Sequence, residues 1–315
     1  MEDTLIGLVK RIGLTALDVG ARGGGNSDLL EIAGAVDFVG FEPDAQECAR
    51  LNGGAAGPWR SARFLPVALG AQRGEFDLNL YSKRGCSSKL VARMEVGERF
   101  SRGDFLHLEQ VVRVPCAPLD EVLREAEITA PASMKIDVQG MEIEVFDGAL
   151  TTLRDHLCAV RTEVAFFPLY EQQPLFAEVD QRLRRDGLVP MRWLESHEWR
   201  RFSKRKLPSM QPGPMPFSRG QLMHADVLYL QQPEALDCNT EAQMQRLLRL
   251  AVLAACHEHY DHALAALQRG QTEQYAREGL NVDVRLALQN LSKARAGLGR
   301  RLGLRLLRWL QNRLG

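Results

Sequence analysis

The chain has no CxxC pair. Its six cysteines, Cys48, Cys86, Cys116, Cys158, Cys238 and Cys256, lie scattered through 315 residues. That spacing excludes a zinc ribbon and argues against a disulfide framework, so the thiols read as reduced. Long apolar runs are also missing. The longest, Leu250 to Cys256, falls far short of the ~20 residues that cross a bilayer. The opening MEDTLIGLVKRIG begins acidic and has no extended apolar stretch, so no secretory signal is expected and the chain reads as cytoplasmic. Net charge is absent as well, with 40 Lys and Arg against 40 Asp and Glu. A neutral chain gives no whole-molecule reason to bind nucleic acid. No segment repeats at a period of about 20–50 residues, which excludes solenoids and propellers.

What is present suffices for a full core. Hydrophobic residues make up 45% and charged residues 25% of the chain, and its length allows one large domain with an appendage or two ordinary ones. The charge balance hides an asymmetry. From residue 231 onward there are 12 basic and 8 acidic residues, against 28 and 32 before it. The last 25 residues carry seven basic side chains and no acidic one.

The first 170 residues alternate between strand-like and helix-like runs. LTALDVGA (14–21), VDFVGFEPD (36–44), RFLPVALG (63–70), MKIDVQG (134–140) and CAVRTEVAF (158–166) read as buried strands. GEFDLNLYS (74–82) alternates like a half-buried one, a further strand is expected near 188–194, and HADVLYLQQ (224–232) reads as the last. LLEIAGA, AQECARLNGG, MEIEVFDGALTTL and PLFAEVDQRLRRDGL read as the intervening helices. Such alternation predicts an α/β fold with a mostly parallel sheet and helices on both faces. Residues 82–110 and 203–222 read as loops, with a lid role and a plain surface insertion both open. After Pro233 the pattern turns helical, which divides the chain into 1–232 and a helical extension over 233–315.

Two strand ends carry the chemistry. Asp18-Val-Gly-Ala-Arg-Gly-Gly-Gly25 closes the first strand with glycines that let a ligand approach the backbone. The spacing is not GxGxxG, so a dinucleotide pyrophosphate is disfavoured, and Asp18 suits a ligand with an ammonium group such as S-adenosylmethionine. A tight strand–helix turn is the simpler alternative. At the end of the second strand stands Phe41-Glu42-Pro43-Asp44. Glu42, 24 residues after Asp18, can accept hydrogen bonds from ribose hydroxyls.

DVGARGG, FEPD, PVALG, CSSKL, PLDEVL, MKIDVQGMEIEVFDGA and TEVAFFPLY, in that order over roughly residues 16 to 195, resemble the FkbM family of S-adenosylmethionine-dependent methyltransferases. The resemblance implies the class I methyltransferase (Rossmann-like) fold, with a seven-stranded sheet whose last strand is antiparallel. It implies O-methylation of a hydroxyl on a sugar, glycan or secondary metabolite. N-methylation, or a catalytically silent scaffold acting through the helical tail, are the alternatives. It places Asp18, Gly20, Ala21, Arg22 and Gly24 on the cofactor's glycine loop, and Glu42 and Pro43 at the ribose. Ala68 would flank the adenine, and Asp137 would stand beside the methyl group. The chain departs from the family pattern at Arg22, where Asn is usual, and at Gln139, where Glu is usual.

A sugar hydroxyl needs a proton acceptor, and in open α/β sheets ligands sit beyond the carboxyl ends of the strands. Asp137 is the first candidate, Glu163 the second and Glu142 the third, with helix capping the competing role for Glu142. Ser87 and Ser88 would contact substrate if their loop covers the site, and Trp193, Trp199 or Phe202 of RWLESHEWRRF would stack on a sugar ring unless the segment serves ordinary hairpin packing. His257 and His259 would point about 200° apart on a helix, so no metal site is expected. In the tail, Leu298, Leu302, Leu306, Trp309 and Leu310 fall on one helical stripe and Arg300, Arg301, Arg305 and Arg308 opposite. Residues 291–315 therefore read as contacting an anionic membrane face or a partner protein, with packing on the chain's own domain or on a second subunit as the alternative.

Overall fold

Val, Ile, Leu and Phe dominate the short runs that close on glycine or proline, and these runs form the strands. In the computed structural model, which describes residues 2–23, 27–54, 57–201 and 215–297, ten strands appear. They are β1 (Thr15–Val19), β2 (Asp37–Phe41), β3 (Ser61–Leu65), β4 (Ala68–Leu69), β5 (Gly74–Tyr81), β6 (Leu108–Ala117), β7 (Pro131–Ile136), β8 (Ala159–Ala165), β9 (Leu188–Trp199) and β10 (Gln221–Gln231). The main helices are α1 (Glu2–Ile12), α2 (Ala45–Asn52), α3 (Met94–Arg99), α4 (Leu119–Glu125), α5 (Glu142–Asp147), α6 (Phe176–Arg185), α7 (Glu241–Cys256) and α8 (Tyr260–Leu267).

Seven strands make one sheet in the order β3-β2-β1-β7-β8-β10-β9. Neighbours run parallel except β10, which is antiparallel to both β8 and β9. The sheet is therefore mixed, with its last strand reversed. All five residues of β1 are buried, because both faces of the sheet are covered. Ala16 packs with α1, α7 and α8 on one side, while Leu17 and Val19 pack with α4, α5 and α6 on the other. α7 begins at a capping box between Thr240 and Gln243 and buries Leu247, Leu248 and Leu250 to Ala255. The segment after 233 thus shares one core with the strands before it. A further helix runs over 284–297.

Two expectations change. Residues 63–70 do not form one strand. Pro66, which lacks an N–H, divides them, so that β3 stays in the main sheet and β4 joins a second one, β4-β6-β5. Residues 82–110 are not a plain loop, since they hold α3 and lead into β6. The sequence conceals β6 because its first four residues are exposed and Pro115 lies inside it. Pro115 is tolerated because β4 pairs only with Cys116 and Ala117, leaving that side of β6 free. Gly24, Phe202 and the stripe from Leu298 onward lie outside the described residues. Among those described, no helix is long and apolar enough to cross a membrane.

Candidate active site

The chain leaves β1 through a turn that its own backbone fixes. Gly20 has φ +81°, and a Cβ there would stand 2.1 Å from the Asp137 carbonyl oxygen. The N–H groups of Gly20 and Ala21 both donate to the Phe41 carbonyl at 3.1 Å, and the Ala21 methyl faces the core. Ala21 therefore offers the cleft neither its N–H nor its side chain. Arg22 does line the cleft, held 3.2 Å from Asp44. Asp18 is buried behind it, with Oδ1 3.3 Å from Lys135 Nζ, and it is Lys135 that lines the cleft. Burial alone would lower the Lys135 ammonium, but Asp18 and Asp137 outweigh it and raise it.

The cleft opens beyond the carboxyl ends of β1, β2 and β7. Phe76, Leu78 and Leu80 of the second sheet and the segment Arg84–Lys89 wall it on the far side. Phe41, Val67, Ala68, Leu69 and Met141 give it an apolar slot, and Pro43 stands at its rim. Glu42 is 4% exposed and lines the same slot, and burial raises its carboxyl above the ordinary value. Its Oε1 accepts from the Asp44 N–H at 2.9 Å. Asp44 in turn caps α2 through the Gln46 and Glu47 N–H groups. The long polar segment does fold over the site. Ser88 Oγ donates to the Gln139 carbonyl at 2.8 Å and accepts from the Leu90 N–H at 3.0 Å, while Ser87 Oγ accepts from the Tyr81 N–H at 3.3 Å. Both serines line the cleft, and both hydroxyls are already engaged in holding that wall.

At the floor, Asp137 directly follows β7, and the chain turns sharply through Gln139 (φ +54°) and Gly140 (φ +100°). This turn brings the Gln139 amide between two carboxylates. Nε2 donates to Asp137 Oδ1 at 2.7 Å and to Glu163 Oε1 at 3.0 Å, and the Tyr170 hydroxyl meets Gln139 Oε1 at 2.9 Å. Glu163 Oε2 lies 2.8 Å from His224 Nδ1. Burial, then the charge of Asp137, holds the Glu163 carboxyl above its usual range against the pull of His224. Burial would lower the His224 ring, but the Glu163 carboxylate prevails and raises it. Asp137 and Gln139 line the cleft, and Glu163 reaches it only through Gln139. Gln139 stands out in the sequence only as a departure from the family pattern, and Tyr170 and His224 escape sequence reasoning, because nothing in the spacing foretells the β8–β10 register that sets His224 beside Glu163.

Glu142 and Trp199 land elsewhere. Glu142 is buried at the start of α5, its Oε1 accepts from the Gly140 N–H at 3.1 Å, and burial pushes its carboxyl up to about 7. Glu142 thus braces the turn that precedes α5 and does not line the cleft. Trp199 is buried, packed edge-on against Phe100 with the Arg102 guanidinium over its ring, so the ring is not offered to a sugar. The His257–His262 segment is not one helix. α7 stops at Cys256, Glu258 has φ +64°, and α8 starts at Tyr260, while His262 Nε2 sits 2.8 Å from the Gln231 carbonyl.

Comparison with known proteins adds the chemistry. The profile of the methyltransferase FkbM domain matches residues 18–189, more than half of the chain. A search of curated proteins returned no match. Among solved structures, the chain is similar to a TehB-like SAM-dependent methyltransferase from Corynebacterium glutamicum ATCC 13032 Kitasato. The identity is 13% and the TM-score 0.27, over 72% of this chain and 87% of that one.

Proposed function

The chain belongs to the FkbM methyltransferase family, and from that premise we propose that it uses S-adenosylmethionine to methylate a hydroxyl of a sugar, glycan or secondary metabolite. The observation that carries this reading is that buried Glu42 and half-buried Asp137 face one cleft from the ends of β2 and β7. The residues present fit the cofactor. Among the described residues only Asp44 donates to the Glu42 carboxylate, and it uses one oxygen, which leaves the other to accept from ribose hydroxyls. Phe41, Val67, Ala68 and Leu69 offer an apolar bed for an adenine ring, and Arg22 and Lys135 offer charge for an amino-acid carboxylate.

When bound, the cofactor supplies a methyl carbon already activated by its sulfonium. The protein therefore has to align the acceptor and take its proton. Asp137 Oδ2 accepts the hydroxyl proton, while Gln139 fixes Oδ1 through its amide. The hydrogen bonds of Ser87 and Ser88 hold one wall of the cleft in place. The test is transfer of labelled methyl to panels of sugars, peptides and small metabolites, with Asp137→Asn as control. Expected is labelled sugar or hydroxylated metabolite, with turnover in the variant lower by roughly 10²–10⁴ and cofactor binding retained. Labelled amines would replace this reading with N-methylation. Absence of cofactor binding would leave a scaffold.

A further inference from the structure

The opposite end of the sheet holds a second concavity, of about 1100 Å³, where β1, β7, β8 and β9 begin. Six cationic side chains line it, Lys10 and Arg11 from the end of α1, Arg154, Arg185, and Arg246 and Arg249 of α7, against three acids, Asp155, Asp186 and Asp237. Two of those acids are committed. Asp155 pairs with Arg154 at 2.8 Å, and Asp186 pairs with Arg182, outside the groove. Lys10, Arg185, Arg246 and Arg249 have no carboxylate within ion-pair distance among the described residues.

The two helical arginines are held without being neutralised. Arg246 Nη2 donates to the Leu157 carbonyl at 3.0 Å, and its Nε is buried with no partner. Arg249 donates through Nε to the Gly13 carbonyl at 2.8 Å and through Nη2 to that of Ile12. Carbonyl dipoles fix both planes but leave the charges standing. Burial and then the nearby Arg246 lower the His156 ring, and burial lowers the Arg249 guanidinium, with Arg246 adding to it. Fixed, partly desolvated, mutually repelling guanidinium groups are a poor arrangement for an empty surface. They are a good one for a multiply charged oxyanion, which takes paired N–H bonds from each planar fork.

We propose that this groove is an anion site that binds a phosphate group, borne by a free compound or by a lipid headgroup, on Arg185, Arg246 and Arg249. Calorimetry with inorganic pyrophosphate at low salt, on the full chain, is the test. Saturable binding is expected, weakened about tenfold or more both in Arg246→Gln and in the exposed pair Lys10→Gln with Arg185→Gln. In the same titration the His156 ring, followed by NMR, should move to a higher pKa, because an anion beside it favours its charged form. S-adenosylmethionine affinity should stay unchanged in both variants, since neither touches the cleft, and this separates failure here from failure of the proposed activity. Phosphatidylglycerol vesicles that displace pyrophosphate would assign the headgroup, and vesicles that leave it bound would assign a free phosphate compound. Either result supports the site. No saturable binding, or equal binding in wild type and both folded variants, overturns it.

Discussion

Gln139 donates its side-chain amide to Glu163 across 3.0 Å, tying the turn after β7 to the middle of β8, 24 residues away in the chain. The same nitrogen reaches Asp137 at 2.7 Å, so one neutral group stands between two carboxylates and satisfies both. Its own oxygen accepts from Tyr170, so both ends of the amide are engaged. Where the family pattern would place a third carboxylate, this chain places the donor that holds the other two in position.

Gln139→Glu should therefore cost stability in a pH-dependent way. The new carboxyl would be buried beside Asp137 and Glu163, both of which disfavour its charge, so its folded pKa would lie above the unfolded ~4.3. A raised carboxyl leaves stability intact below that value and removes it as pH rises. Urea denaturation should show the variant matching wild type near pH 4 and falling behind by about 1–3 kcal/mol near pH 8. A constant difference across that range would contradict the bridging role.

Glu142 already behaves this way in the natural chain. With its carboxyl raised to about 7 by burial, its contribution is fully present below the ordinary 4.5 and is lost as pH climbs through about 7. Glu142→Gln keeps an acceptor for the Gly140 N–H and removes the titration. The variant should flatten the stability profile between those two pH values and retain cofactor affinity. A profile as steep as wild type would remove Glu142 as the source.

Glu42→Ala should weaken S-adenosylmethionine binding by about 10–100-fold, the loss expected for hydrogen bonds to a charged acceptor. Its effect on folding should be small, because one carboxylate contact, to the Asp44 N–H, is all the described structure gives it. Calorimetry alongside thermal melting distinguishes the two. Unaltered affinity in a folded variant would detach Glu42 from the cofactor.

Gly20 makes the contrasting case. A methyl there meets the Asp137 carbonyl at 2.1 Å and forces a positive φ on a residue with a side chain. Gly20→Ala should destabilise the whole chain by more than about 2 kcal/mol, visible in the urea midpoint before any binding is measured. A variant of wild-type stability would show that the turn can open.

The strand-and-helix alternation, the turn at Gly20 and the acid at Glu42 were all legible in the sequence, because each rests on local pattern. Apolar runs bury themselves, and a strand that must turn at once into a ligand cleft needs glycine. The exchange of strand at Pro66 and the concealed β6 were not. Each depends on which distant segment comes to lie alongside, and pairing partners leave no mark on a single chain. The same holds for the site. Asp137 and Glu42 could be picked out by position at strand ends, whereas the Asp137–Gln139–Glu163–His224 chain exists only because β10 runs antiparallel beside β8 and sets His224 within 2.8 Å of Glu163. Sequence determined which groups were available for chemistry. Register and the turn at Gln139 decided which of them touch, because hydrogen bonds act over about 3 Å and only the folded backbone sets distances that short.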